Sequence, residues 1–121
     1  MELIINGTPE QAQEICQLAN SIEDAQYQSA DTLAEFVKNA NYMLLEMRKT
    51  GVVPENDEFE RRLNELYAPH RDAVNSYSRD VDRLSDFIHN GILVPDEEFQ
   101  IFFQHIQRVR LIQEINLQPF V

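Results

Sequence analysis

The sequence predicts an all-α fold: an antiparallel bundle of four to five helices, with a long central helix and a short extended N-terminal arm. Two observations carry this reading. Apolar residues recur at threes and fours along most of the chain, the spacing that places them on one face of a helix. Two similar junctions, Gly51-Val-Val-Pro-Glu-Asn-Asp-Glu-Phe59 and Gly91-Ile-Leu-Val-Pro-Asp-Glu-Glu-Phe99, each join a helix-stopping glycine to an acidic helix start. The 121 residues are the size of one ordinary domain, so residues 1–121 are expected to form a single bundle.

At the start, Leu3-Ile4-Ile5 before Asn6-Gly7 has strand composition and a turn signal. No other stretch reads as its partner, so the arm is expected to pair only with another copy or another protein. Thr8-Pro9-Glu10-Gln11 then starts a helix, with Thr8 as N-cap, Pro9 at the first helical position and Gln11 completing a capping box. This helix is expected to end near residue 28. Its stripe of Ala12, Ile15, Cys16, Ala19, Ile22 and Ala25 is narrow and small, which suits close packing and predicts a buried Cys16 thiol.

Ser29-Ala30-Asp31 interrupts that pattern, and Asp31 with Thr32 can cap a second helix reaching about residue 50. Leu33, Phe36, Val37, Ala40, Met43, Leu44 and Met47 form its expected core stripe. Arg48 and Lys49 in the last turn complement the helix dipole, and Gly51 ends it.

The central element starts near Asn56 or Asp57 and keeps helical phase from Phe59 through Leu66, Val74, Tyr77, Val81 and Leu84 to Ile88. Pro69 removes one backbone donor and crowds the carbonyl of Glu65, so it either kinks or breaks this helix. The apolar phase survives Pro69, which favours a kink. The last helix starts at Asp96 and runs to about residue 116 on Phe99, Phe102, Phe103, Ile106, Val109, Ile112 and Ile115. Ile101, Leu111 and Leu117 widen that stripe beyond one face, which calls for a central position or a second partner. The tail from Leu117 to Val121 is apolar enough to be expected to dock.

The formal charge is -11, from 21 acids and 10 bases. That balance argues against direct binding to nucleic acid or to an anionic membrane. One cysteine allows no internal disulfide, and the N-terminal apolar run is too short for a signal peptide, so a cytoplasmic protein is expected.

Catalytic signatures are sparse. No glycine-rich phosphate loop, Gly-x-Ser-x-Gly, His-Glu-x-x-His or zinc-type cysteine spacing occurs. Asp86 and His89 have the one-turn spacing of helical carboxylate-histidine metal sites, but the motif occurs once where such sites need two. His89 also suits the C-terminal end of a helix dipole. The acidity permits a mimic of nucleic-acid charge that blocks a nucleic-acid-binding protein. Against it, arginines alternate with acids along the central element.

The expectation is therefore a non-catalytic, acidic interaction or regulatory protein with no cofactor and no metal. Its partner is a protein of unknown identity, most simply a second copy in a homo-oligomer. Tyr42, Met43, Phe102, Phe103, Leu111 and Phe120 are the candidate interface residues.

Overall fold

The computed structural model describes residues 4–117. In order, these form β1 (Ile4–Ile5), α1 (Pro9–Thr50), α2 (Asn56–His89), β2 (Leu93–Val94) and α3 (Glu97–Asn116). The described residues are mostly helical, and three helices stand where four to five were expected, because both anticipated interruptions are absorbed.

At the first, α1 runs straight through Ser29-Ala30-Asp31. The Ser29 hydroxyl donates to the Gln26 carbonyl at 3.1 Å, and the Thr32 hydroxyl donates to the Gln28 carbonyl at 2.7 Å. Both side chains thus bond to the turn behind them instead of capping a new helix. At the second, α2 continues through Pro69, which is exposed while Tyr67 and His70 beside it are buried. The missing N–H falls on the outer side of the helix, so the buried face keeps its phase.

The helix starts and stops follow the local chemistry. Thr8 and Gln11 form the reciprocal capping box, with bonds of 3.1 and 2.8 Å. Asp96 caps α3 by accepting from the Phe99 N–H at 2.7 Å. Gly51 and Gly91 follow α1 and α2 at φ of 69° and 72°, left-handed values that glycine adopts without steric cost.

The N-terminal arm pairs within the chain, contrary to expectation. Ile4 and Ile5 lie antiparallel to Val94 and Leu93, and the Asn6 N–H donates to the Ile92 carbonyl at 2.6 Å. The partner strand is two residues long, and its apolar run, Ile92-Leu93-Val94, reads from the sequence as part of a helix link ending in a proline. Leu93 is fully buried beneath the ribbon.

The core gathers Ile15, Ile22 and Ala25 from α1, Tyr77, Val81, Leu84 and Phe87 from α2, and Phe99 and Ile106 from α3. Tyr77 joins all three helices: its hydroxyl donates to the Ile106 carbonyl at 3.1 Å and accepts from Gln26 Nε2 at 3.3 Å. Cys16 is exposed, not buried. Ile15 takes the inward direction, and one residue on, about 100° around the helix, Cys16 faces outward.

Candidate interaction surface

The helices differ in reach. At 1.5 Å per residue, α1 spans about 63 Å and α2 about 51 Å, whereas α3 spans about 30 Å. Near its end, α3 meets α1 through Gln113, whose Nε2 donates to the Ser29 hydroxyl at 2.7 Å. Beyond this level the α1–α2 hairpin carries on with no third helix over it among the described residues.

The consequence is visible in burial. From residue 30 to residue 66 no side chain is buried. That stretch holds thirteen large apolar residues, which is ample for a core and leaves them without one. Leu33, Val37 and Leu44, expected in the core, are 43%, 47% and 47% exposed. They recur at four and seven along α1 and so share one face. Phe36, Ala40, Met43 and Met47 are half-buried in the seam with α2.

The hairpin tip extends this surface. Val52 and Val53 follow Gly51 and are mostly exposed. Their counterparts after Gly91 are covered, Ile92 in part and Leu93 completely, in the junction that β1 pairs with. Two nearly matching junctions thus differ in having or lacking a partner strand.

A second apolar face lies on α3. Ile101, Leu111, Ile112 and Ile115 are each more than half exposed, on the side opposite buried Phe99 and Ile106. Ile101 and Leu111 are the residues that widen the stripe in the sequence, whereas Ile112 and Ile115, expected on the core stripe, are exposed instead, on the part of α3 that turns away from the core.

Charge avoids both faces. Residues 31–50 carry three acids and three bases, and residues 97–116 three acids and two bases, in a chain of net charge -11. Arginines hold Glu14, Glu58, Glu65, Asp82 and Glu114. Glu58 accepts from Arg61 and Arg62, which hold its carboxyl down at about 2. Arg83 binds Glu14 across α1 and α2 and lowers that carboxyl too. Arg110 reaches Asp82 and Glu114, and the Ser78 hydroxyl and Arg110 together lower Glu114. Asp80 shifts upward through burial.

A cavity lies where the covered and uncovered parts of α1 meet. It is lined by Ser29 and Leu33, by Tyr67 and His70, and by Val109 and Gln113. His70 is buried, and its Nδ1 sits 3.0 Å from Thr32 Oγ1. Burial holds the imidazole below its ordinary range, with the Ser29 carbonyl acting the other way. Nothing in the local sequence sets His70 apart.

The candidate interface residues are dispersed. Tyr42 is exposed on the far side of α1 from Leu44, and Met43 lies in the seam beside Arg62 and Leu66. Phe102 and Phe103 are half-buried and pack on the core next to Phe99. Leu111 is exposed on the outer face of α3. Phe120 and the rest of the tail after Leu117 lie outside the described residues.

Among the described residues, no group of three or more His, Cys, Asp or Glu is placed to hold a metal ion, Asp86 and His89 included. No described helix is long and apolar enough to cross a membrane. Compared with protein-family models, curated proteins and solved structures, the chain has no match.

Proposed function

We propose that this is a non-catalytic interaction protein that self-associates through the uncovered end of its α1–α2 hairpin. The observation that carries the reading is the absence of any buried side chain from residue 30 to residue 66, in a stretch rich in large apolar residues. Two amphipathic helices cannot enclose a core by themselves, and bundles solve this with more helices. A second copy supplies the same two, and a two-fold axis sets like face on like face.

Charge favours a copy of the chain over an unrelated acidic or basic surface. The half of α1 that bears Leu33, Val37 and Leu44 is neutral overall, so two copies meet there without the repulsion their total charge would impose. Mimicry of nucleic-acid charge draws less support, because Glu14, Glu58, Glu65, Asp82 and Glu114 are tied to arginines. The lone Cys16, a free thiol, fits a cytoplasmic setting.

Sedimentation velocity over a wide concentration range tests the proposal. The wild-type chain should sediment above its monomer mass of 14.2 kDa, and the combined variant Leu33→Ser, Val37→Ser, Leu44→Ser should return to it with unchanged helicity. A monomeric wild type, or a variant that assembles as well as the wild type, refutes it.

A further inference from the structure

The covered and uncovered parts of α1 present the same face. Ile15, Ile22 and Ser29 follow one another at sevens and are buried on the side where α3 lies. Leu33 and Val37 continue that line at fours, Leu44 continues it at seven, and all three are exposed. The exposed face is thus the forward extension of the track that α3 occupies.

The direction and end of α3 follow from its contacts. Ser78 and Asp82 of α2 meet Glu114 and Arg110 in reverse order, and Glu14 and Thr32 of α1 meet Arg83 and His70 in reverse order. Therefore α1 and α3 run the same way. From the contact of Gln113 with Ser29, α3 continues about one turn to Asn116, which brings it to the level of Leu33. Beyond that level α1 runs on for about 26 Å to Thr50.

A second copy on this face has to avoid α3. Laid parallel, with the hairpin tips together, the two α3 helices would meet between the hairpins and hold the exposed faces farther apart than the about 8–10 Å at which helices pack. Laid antiparallel, each hairpin passes beyond the end of the other α3. The uncovered stretches are equal in length, so they cover each other completely when each tip stops at the end of the other α3. Less overlap leaves apolar residues in water, and more runs into that helix. This register sets Val52 and Val53 opposite Leu33, with the two-fold axis near Asn41.

The cavity beside Ser29 lies at that level, with Leu33 and Phe36 at its end nearest the tip and no Asp, Glu, Lys or Arg in its lining. Val52 and Val53 are 66% and 73% exposed. Charge fits the same register. Arg71, half-buried with its guanidinium 5.8 Å from the Tyr67 ring centroid, bonds only the neutral Asn64 side chain among the described residues. Glu55 and Asp57 at the tip are in no ion pair among the described residues. The antiparallel register brings these acids toward Arg71 of the other copy.

We propose that two copies pack antiparallel about an axis near Asn41, so that Val52 and Val53 at the tip of each hairpin close the other copy's cavity beside Ser29. The arrangement rests on the self-association proposed above and adds its polarity and register. The length of α3 sets both.

A nitroxide at the tip reads the polarity. Lys49→Cys in a Cys16→Ser background carries the label on an exposed position away from the apolar face. This chain is mixed with ¹⁵N-labelled wild-type chain at a concentration where sedimentation shows the assembled species. The amides of Ser29, Leu33 and Gln113 in the ¹⁵N-labelled copy should lose most of their intensity, and those from Thr50 to Asn56 should keep theirs. Val52→Ser combined with Val53→Ser, at positions exposed in the single chain, should weaken assembly about tenfold or more. Broadening from Thr50 to Asn56 instead, or a double serine variant that assembles as well as the wild type, overturns the arrangement and leaves self-association standing. A wild type that stays monomeric overturns both.

Discussion

The Gln113 amide on α3 donates to the Ser29 hydroxyl on α1 across 2.7 Å, and this contact marks how far the third helix reaches. Before Ser29, α1 contributes Ile15, Ile22 and Ala25 to a closed core. After it, the same helix continues to Thr50 without burying a single side chain. One helix therefore serves two environments.

Amide hydrogen exchange should divide along that line. Protection depends on buried contacts, so amides near Ile22, Tyr77 and Val81 should exchange only through global opening. Those from Leu33 to Leu63 should exchange faster in dilute solution and slow as the protein is concentrated. Equal protection along α1 in dilute solution would show that the hairpin end is stable without a partner.

Tyr77→Phe should destabilise the fold by about 1–3 kcal/mol, the cost of leaving the partners of a buried hydroxyl unsatisfied. The ring would still fill its place, while the Ile106 carbonyl loses a donor and Gln26 Nε2 an acceptor. In urea the midpoint should fall with the slope unchanged. A loss below a few tenths of a kcal/mol would remove Tyr77 as the node of the three helices.

Gly51→Ala and Gly91→Ala should each cost about 1–2 kcal/mol. A Cβ at either position meets nothing within 4 Å, so the cost is that of the left-handed backbone alone. Asparagine should cost less at both sites. Thermal unfolding with the three residue types at Gly51 gives the order directly.

Acid should weaken the fold in two windows. The His70 pKa is lowered in the folded chain, so below the ordinary histidine value of 6.5 the unfolded chain binds the proton first. Stability is then lost as pH falls through 6.5 toward the folded pKa, and His70→Gln should flatten that slope. Glu14, Glu58 and Glu114 are lowered from 4.5 by their partners, so their share is present above 4.5 and disappears as pH falls toward about 2, where Glu58 titrates. Asp80, raised from 3.8 by burial, acts in the opposite sense. Urea midpoints between pH 7 and pH 3, for wild type and His70→Gln, check both signs.

Local chemistry was legible where local atoms decide the outcome. The Thr8–Gln11 box, the Asp96 cap and the glycine after α1 all complete their bonds within one turn. The Ser29 and Thr32 hydroxyls were not legible, because the same side chains can cap a new helix or bond to the turn behind. The packing of Ser29 against Gln113 and of Thr32 against His70 belongs to the continuous helix. Pro69 was ambiguous for a similar reason, since its cost depends on which side of the helix it occupies. Periodicity found the Leu33 to Met47 stripe but could not say whether a helix lies over it. The cavity had no sequence signal, since Ser29, His70 and Gln113 come from three different helices.

The face on which a second copy sits can be located by spin labelling. A nitroxide on Asn41→Cys, in a Cys16→Ser background, stands on exposed α1 between Val37 and Leu44. In an equal mixture of spin-labelled chain and ¹⁵N-labelled unmodified chain, relaxation enhancement reports only contacts between copies. The account predicts broadening of amides from Leu33 to Leu45 in the unmodified copy, lost when the mixture is diluted. No broadening between copies, or broadening confined to α3, would contradict it.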